Sequence, residues 1–166
     1  TAQTIRASQK KHTDQDHYVS LVTFNDEAKT LYECIGVEEV KELNGEIYQP
    51  DCCTALYDAM GKSLSALRKK VAADDKVLVT VVTDGCENAS SEYSGKAIKA
   101  LVDELKQCGW VFAYIGANPD VEAVAATISI TNVMQFHADS VGTKMMSQTT
   151  NDARTRMYDR IAENCF

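Results

Sequence analysis

The chain has 166 residues, 45% of them hydrophobic, with a formal charge of −7 and a pI near 4.9. That length supports one domain with a substantial core, residues 1–166 as a single unit. No basic run exceeds Lys10-Lys11 or Arg68-Lys69-Lys70, so the acidic balance excludes nucleic acid and anionic membrane as expected partners. No apolar run approaches the ~18 residues of a membrane span, and Thr1 to Arg6 lacks the apolar stretch of a signal peptide, which sets a cytoplasmic location as the expectation.

Thr4 to Lys11 reads as the tail of a helix anchored by Ile5, with a polar exit through His12 to Asp16. His17 to Phe24 is rich in β-branched and aromatic residues and predicts a strand. Asn25-Asp26-Glu27-Ala28 turns it into a second strand, Lys29 to Ile35, and so short a turn implies an antiparallel hairpin. Val37 to Leu43 gives one or two helical turns, broken by Asn44-Gly45. Thr54 is placed to cap a long amphipathic helix in which Leu56, Ala59, Met60, Leu64, Leu67 and Val71 recur at helical spacing. After Asp74-Asp75 an apolar strand runs to Thr83. A helix from about Gly95 to Gln107 then presents Ile98, Leu101, Val102 and Leu105, and Gly109 ends it. Trp110 to Gly116 is another apolar strand, Asp120 opens a helix through Thr127, Val133 to Phe136 is the last strand, and a helix follows from about Ser140. This alternation calls for an α/β fold: a doubly wound, mostly parallel sheet with helices on both faces and the antiparallel hairpin at one edge.

The six cysteines, at 34, 52, 53, 86, 108 and 165, form no C-x-x-C pair and no regular spacing, so they read as buried thiols rather than a zinc cage or disulfide framework. His12, His17 and His137 fit no metal-binding pattern. No P-loop, G-x-S-x-G elbow or G-x-G-x-x-G occurs, and catalysis is not expected. Two oxygen donors do stand where ligand sites form. Asp84 ends the buried strand at its carboxyl end, and the Thr54 hydroxyl begins a helix; both suit a hard cation. Asp58, one turn into that helix, reads as a capping or solvated carboxylate.

Four segments resemble a von Willebrand factor type A domain of the bacterial, stand-alone kind: Val19 to Phe24, Cys53 to Ala59, Val81 to Ser90, and Gly109 to Asn118. The resemblance implies a metal-ion-dependent adhesion site built from three loops, of which Thr54 and Asp84 match two. The first, an Asp-x-Ser-x-Ser loop, has no match, and neither has the family's first strand, so the chain reads as N-terminally incomplete. By the same resemblance that strand lies between the strands at 17–24 and 76–83, leaving unpaired edges through which a homo-oligomer is expected to form. The implied function is a protein-recognition module, not an enzyme. Its rim of Asp51, Cys53, Gly85, Glu87 and Asn88 meets a partner's Asp or Glu carboxylate, and any Mg²⁺ or Mn²⁺ is held weakly by a remnant site. The alternatives are a metal-dependent hydrolase on the same sheet, and a metal-free scaffold or truncated product without activity of its own.

Overall fold

The computed structural model describes residues 2–41, 53–117 and 119–163. Helix α1 (Ala2–Lys11) buries Ile5 and leads through a polar turn to β1 (Tyr18–Phe24) and β2 (Ala28–Gly36). These two strands pair antiparallel as expected. The Asn25 side chain closes the turn by accepting the Glu27 N–H at 3.0 Å, the local bond for which Asn is favoured in turns.

The helical segment expected after β2 shrinks to one 3₁₀ turn, Val37–Glu39. Val40 is already extended, at φ −68° and ψ 121°, and Arg6 of α1 donates to the carbonyls of both Val37 and Val40. Those carbonyls are therefore engaged by a neighbouring helix. Residues Glu42 and Leu43, also in the expected helix, lie outside the described residues.

From residue 56 the chain alternates as the periodicity implies: α2 (Leu56–Leu67), β3 (Leu78–Thr83), α3 (Gly95–Gln107), β4 (Val111–Gly116), α4 (Val121–Thr127), β5 (Asn132–Gln135) and α5 (Ser140–Ala162). The last three strands form a parallel sheet in the order β3-β4-β5. Paired residues of a ladder share a face, so Val79, Val81, Phe112, Tyr114 and Val133 line one side of it. They pack into one core with Leu56, Met60 and Leu64 of α2, Ile98, Val102 and Leu105 of α3, and Val121 and Ala125 of α4. On the opposite side, Val82 is 44% exposed, while Leu78, Thr80, Val111, Ala113 and Met134 are half-buried and Ile115 is buried.

One expectation is met only in part. The hairpin forms, but among the described residues it is a separate two-stranded sheet, with no hydrogen-bonded ladder joining it to β3-β4-β5. Helix α2 joins the two: it packs on β1 and β2 and shares the core with β3, and Phe24 at the end of β1 packs against that same core. Helix α5 lies along α1, where Lys11 and His12 both reach Asp159, at 2.7 and 2.8 Å.

No disulfide joins Cys34, Cys53, Cys86 and Cys108. The expectation of buried thiols fails for all four, since Cys34 and Cys53 are only half-buried and Cys86 and Cys108 fall on exposed loop and helix-end positions. Among the described residues no helix is long and apolar enough to cross a membrane.

Two substitutions test this packing. Phe112 is 2% exposed at the centre of the core, so Phe112→Ala should cost about 3–5 kcal/mol in a urea titration. Gly61 of α2 has the Tyr93 ring directly over its Cα, where any Cβ would collide with it. Gly61→Ala should therefore destabilise by about 1–3 kcal/mol by overpacking, although alanine is the better helix former. An unchanged urea midpoint for either variant would contradict the described contacts.

Candidate functional site

The carboxyl ends of β1 and β3 meet at the amino end of α2. An α-helix leaves its first N–H groups without intrahelical partners, and here they are met from outside. The Ala55 N–H donates to the Asn25 carbonyl at 2.6 Å, and the Thr54 N–H to Asn88 Oδ1 at 2.9 Å. Tyr57 N–H donates to Glu87 Oε2 at 2.9 Å and Asp58 N–H to Ser90 Oγ at 3.1 Å. The expectation that Thr54 caps the helix is corrected. Ala55 holds the cap position without a side-chain bond, and the loop after β3 supplies the capping groups.

Asp58 returns the interaction. Its carboxylate, 6% exposed, accepts the N–H groups of Ser91 at 2.9 Å, Glu92 at 3.0 Å and Tyr93 at 2.7 Å. The bond from Ser91 does most to hold the Asp58 carboxyl below the ordinary aspartate value. Burial opposes it, and the bonds from Tyr93 and Glu92 reinforce it. For Glu87, burial is the largest influence and pushes the carboxyl up. The bonds from the Ser90 and Tyr57 amides, the Ser90 hydroxyl and the Ala89 amide together outweigh it and leave the group lowered. Asp58 is thus neither solvated nor a cap of its own helix; it holds the loop. The sequence carried one signal for this, since Asp58 interrupts a run of buried apolar positions, Leu56, Ala59 and Met60.

Thr54 and the end of β3 are brought together. The Thr54 hydroxyl lies against Gly85, the residue after Asp84, so closely that a Cβ on Gly85 would come within 2.5 Å of Thr54 Oγ1. Only glycine fits there. The Thr83 hydroxyl tightens the same turn by donating to the Gly85 carbonyl at 3.1 Å. Asp84, Cys86 and Asn88 are exposed along the rim and Cys53 is half-buried, whereas Glu87 is half-buried and turned toward α2. Asp51 lies outside the described residues.

Beneath the rim, Tyr114 is 3% exposed, and its phenol is pushed up to about 12, first by burial and then by Cys86, Tyr57 and Glu87 beside it. To one side, Pro119, Asp120, Val121, Glu122, Val133 and Gln135 line an open cavity of about 300 Å³.

Among the described residues no group of three or more His, Cys, Asp or Glu side chains converges as a metal cluster. Among the described residues, the donors at the rim are the Thr54 hydroxyl and the Asp84 carboxylate, and no described residue engages Asp84 in a hydrogen bond or ion pair. Mg²⁺ seeks about six oxygens in near-octahedral array and gives up water reluctantly, so this pair suits a largely hydrated ion and not a closed protein cage.

Comparison of the chain with protein-family models, curated proteins and solved structures gives no match.

The Asp58 carboxylate generates a pH prediction. A carboxyl held below its unfolded value adds stability that is present above that value and is lost as pH falls through the folded one. Asp58→Asn should therefore melt earlier than the parent at neutral pH, and the difference in Tm should close below about pH 4 as the parent's own carboxylate protonates. A difference that stays constant down to pH 2 would show that the ionised form contributes nothing.

Proposed function

We propose that the chain is a protein-recognition module of the von Willebrand factor A type, whose rim at Thr54, Asp84 and Gly85 receives a partner's Asp or Glu side chain. The observation that carries this reading is the contact of Thr54 with Gly85 at the carboxyl ends of the strands, which is where open α/β sheets bind ligands. Asp84 is the exposed carboxylate beside it, free to share a cation with an incoming one.

The amino end of α2 favours this reading over direct anion capture. Glu87 already sits at that positive helix end and accepts the Tyr57 N–H, so a second carboxylate meets repulsion there and finds no open donor at Tyr57 or Asp58. A partner's carboxylate then needs a cation between itself and Asp84. Mg²⁺ or Mn²⁺ would supply that bridge, held by Thr54 and Asp84 with water completing the shell.

Mn²⁺ broadens nuclear resonance signals near it even when bound weakly, and so tests the site directly. In the labelled full chain, Mn²⁺ at submillimolar levels should broaden the amide signals of Thr54, Asp84 and Gly85 first. Adding an Asp-containing peptide should deepen the effect, and Asp84→Ala should remove it. Broadening spread evenly over the acidic surface would sink the proposal, and so would broadening unaffected by Asp84→Ala.

A further inference from the structure

Helix α5 is long but shallowly docked. Of its 23 residues Arg154 alone is buried, and its main packing neighbour is α1. Burial of an apolar face is what normally holds a helix in place, so α5 depends to a large degree on a few polar contacts. An element held in this way opens at lower cost than the core.

Those contacts gather at its second half. Asp159 receives Lys11 at 2.7 Å and His12 at 2.8 Å from the end of α1. The Tyr158 ring meets the His17 ring edge-on, with centroids 4.6 Å apart and planes at 67°. His17 itself has little room to retreat. Its carbonyl accepts the Val37 N–H at 3.0 Å, the next residue opens β1, and Arg6 ties α1 to the carbonyls of Val37 and Val40. The hairpin and α1 are thus one unit, and α5 is the piece that can leave.

The surroundings of His17 suit a neutral ring. Its Nε2 is buried, and among the described residues no group bonds to it. A neutral ring with its proton on Nδ1 leaves only a lone pair there, whereas imidazolium places an N–H there with no acceptor. No anion on α5 compensates that charge. Tyr158 is a neutral phenol pushed up by burial, Arg154 one turn before it is a second cation, and Asp159 is already shared between Lys11 and His12. Burial is accordingly the main reason that His17 titrates below its ordinary value; His12 adds to the shift and the exposed Asp16 opposes it.

We propose that this contact is an acid-released latch: protonation of His17 expels Tyr158 and frees the second half of α5 from α1, while the core stays folded. The released form takes up the proton near the ordinary histidine value of 6.5, more readily than the docked form does. Docking is therefore complete above about pH 7 and weakens as pH falls through 6.5 toward the docked value. Protonation of His12 works the other way at Asp159. Lys11 already serves that carboxylate, however, and charge on His12 further opposes charge on His17, so release prevails. The latch shares no residue with the rim at Thr54 and Asp84, and either reading can fail without the other.

Amide hydrogen exchange on the labelled full chain at pH 7.5 and 5.5, corrected for the intrinsic effect of pH on exchange, reads the latch directly. Protection across residues 151–162 should fall at least ~threefold at the lower pH, while Val102, Phe112 and Tyr114 keep theirs. His17→Phe keeps a ring against Tyr158 and cannot titrate, so its α5 protection should not change with pH; His12→Asn should keep the response. In the parent chain the loss of protection should also follow the titration of the His17 ring carbon signals, a readout that needs no variant. Equal α5 protection at both pH values in the parent would overturn the proposal. So would a loss that follows the His12 signals instead, or one as large in folded His17→Phe as in the parent.

Discussion

The amino end of α2 depends on an exchange of hydrogen bonds with the loop after β3, and much of the structure is arranged around it. Glu87, Asn88 and Ser90 accept amides from the start of the helix, and Asp58 of the helix accepts amides from Ser91, Glu92 and Tyr93. Each partner meets groups that would otherwise be left unpaired close to the core, where an unsatisfied polar group costs about 1–3 kcal/mol. The loop enters α3 directly afterwards, with Ser94 capping it by accepting the Ala97 N–H at 3.2 Å. The stitched loop thereby sets α3 against α2.

The same helix holds together two sheets that do not pair with each other. Its packing on β1 and β2, and its share of the core with β3, place the carboxyl ends of β1 and β3 on either side of Thr54 and Ala55. The rim is a consequence of this arrangement, since it forms where those strand ends converge.

Among the described residues the rim's chemistry is modest by itself: one hydroxyl, one unengaged carboxylate and a glycine that admits the hydroxyl. Much of the remaining polar equipment nearby is spent on structure. Glu87 neutralises the helix end, Asn88 holds Thr54 through both its side chain and its N–H, and Tyr114 is a buried phenol under the loop. On the proposed reading, recognition there would depend on what a partner and a cation bring to the rim.

Hydrophobic periodicity alone determined much of the element order. The helix carrying Ile98, Val102 and Leu105, the apolar strands ending at Thr83 and Gly116, and the hairpin around Asn25 all lie within a few residues of where the sequence places them, because spacing along the chain directly sets which face is buried. The meeting of Thr54 with the Asp84-Gly85 turn was legible as a juxtaposition at the strand ends. What only the tertiary structure decided were matters of partnership between distant residues. Asp58 looks like a solvated helix carboxylate until a loop more than thirty residues away brings three amides to it. Thr54 looks like a cap until Glu87 and Ser90 take that role. The separation of the hairpin from the parallel sheet was likewise beyond local pattern, since strand sequence encodes which side chains point inward but leaves the neighbour at each edge to long-range assembly.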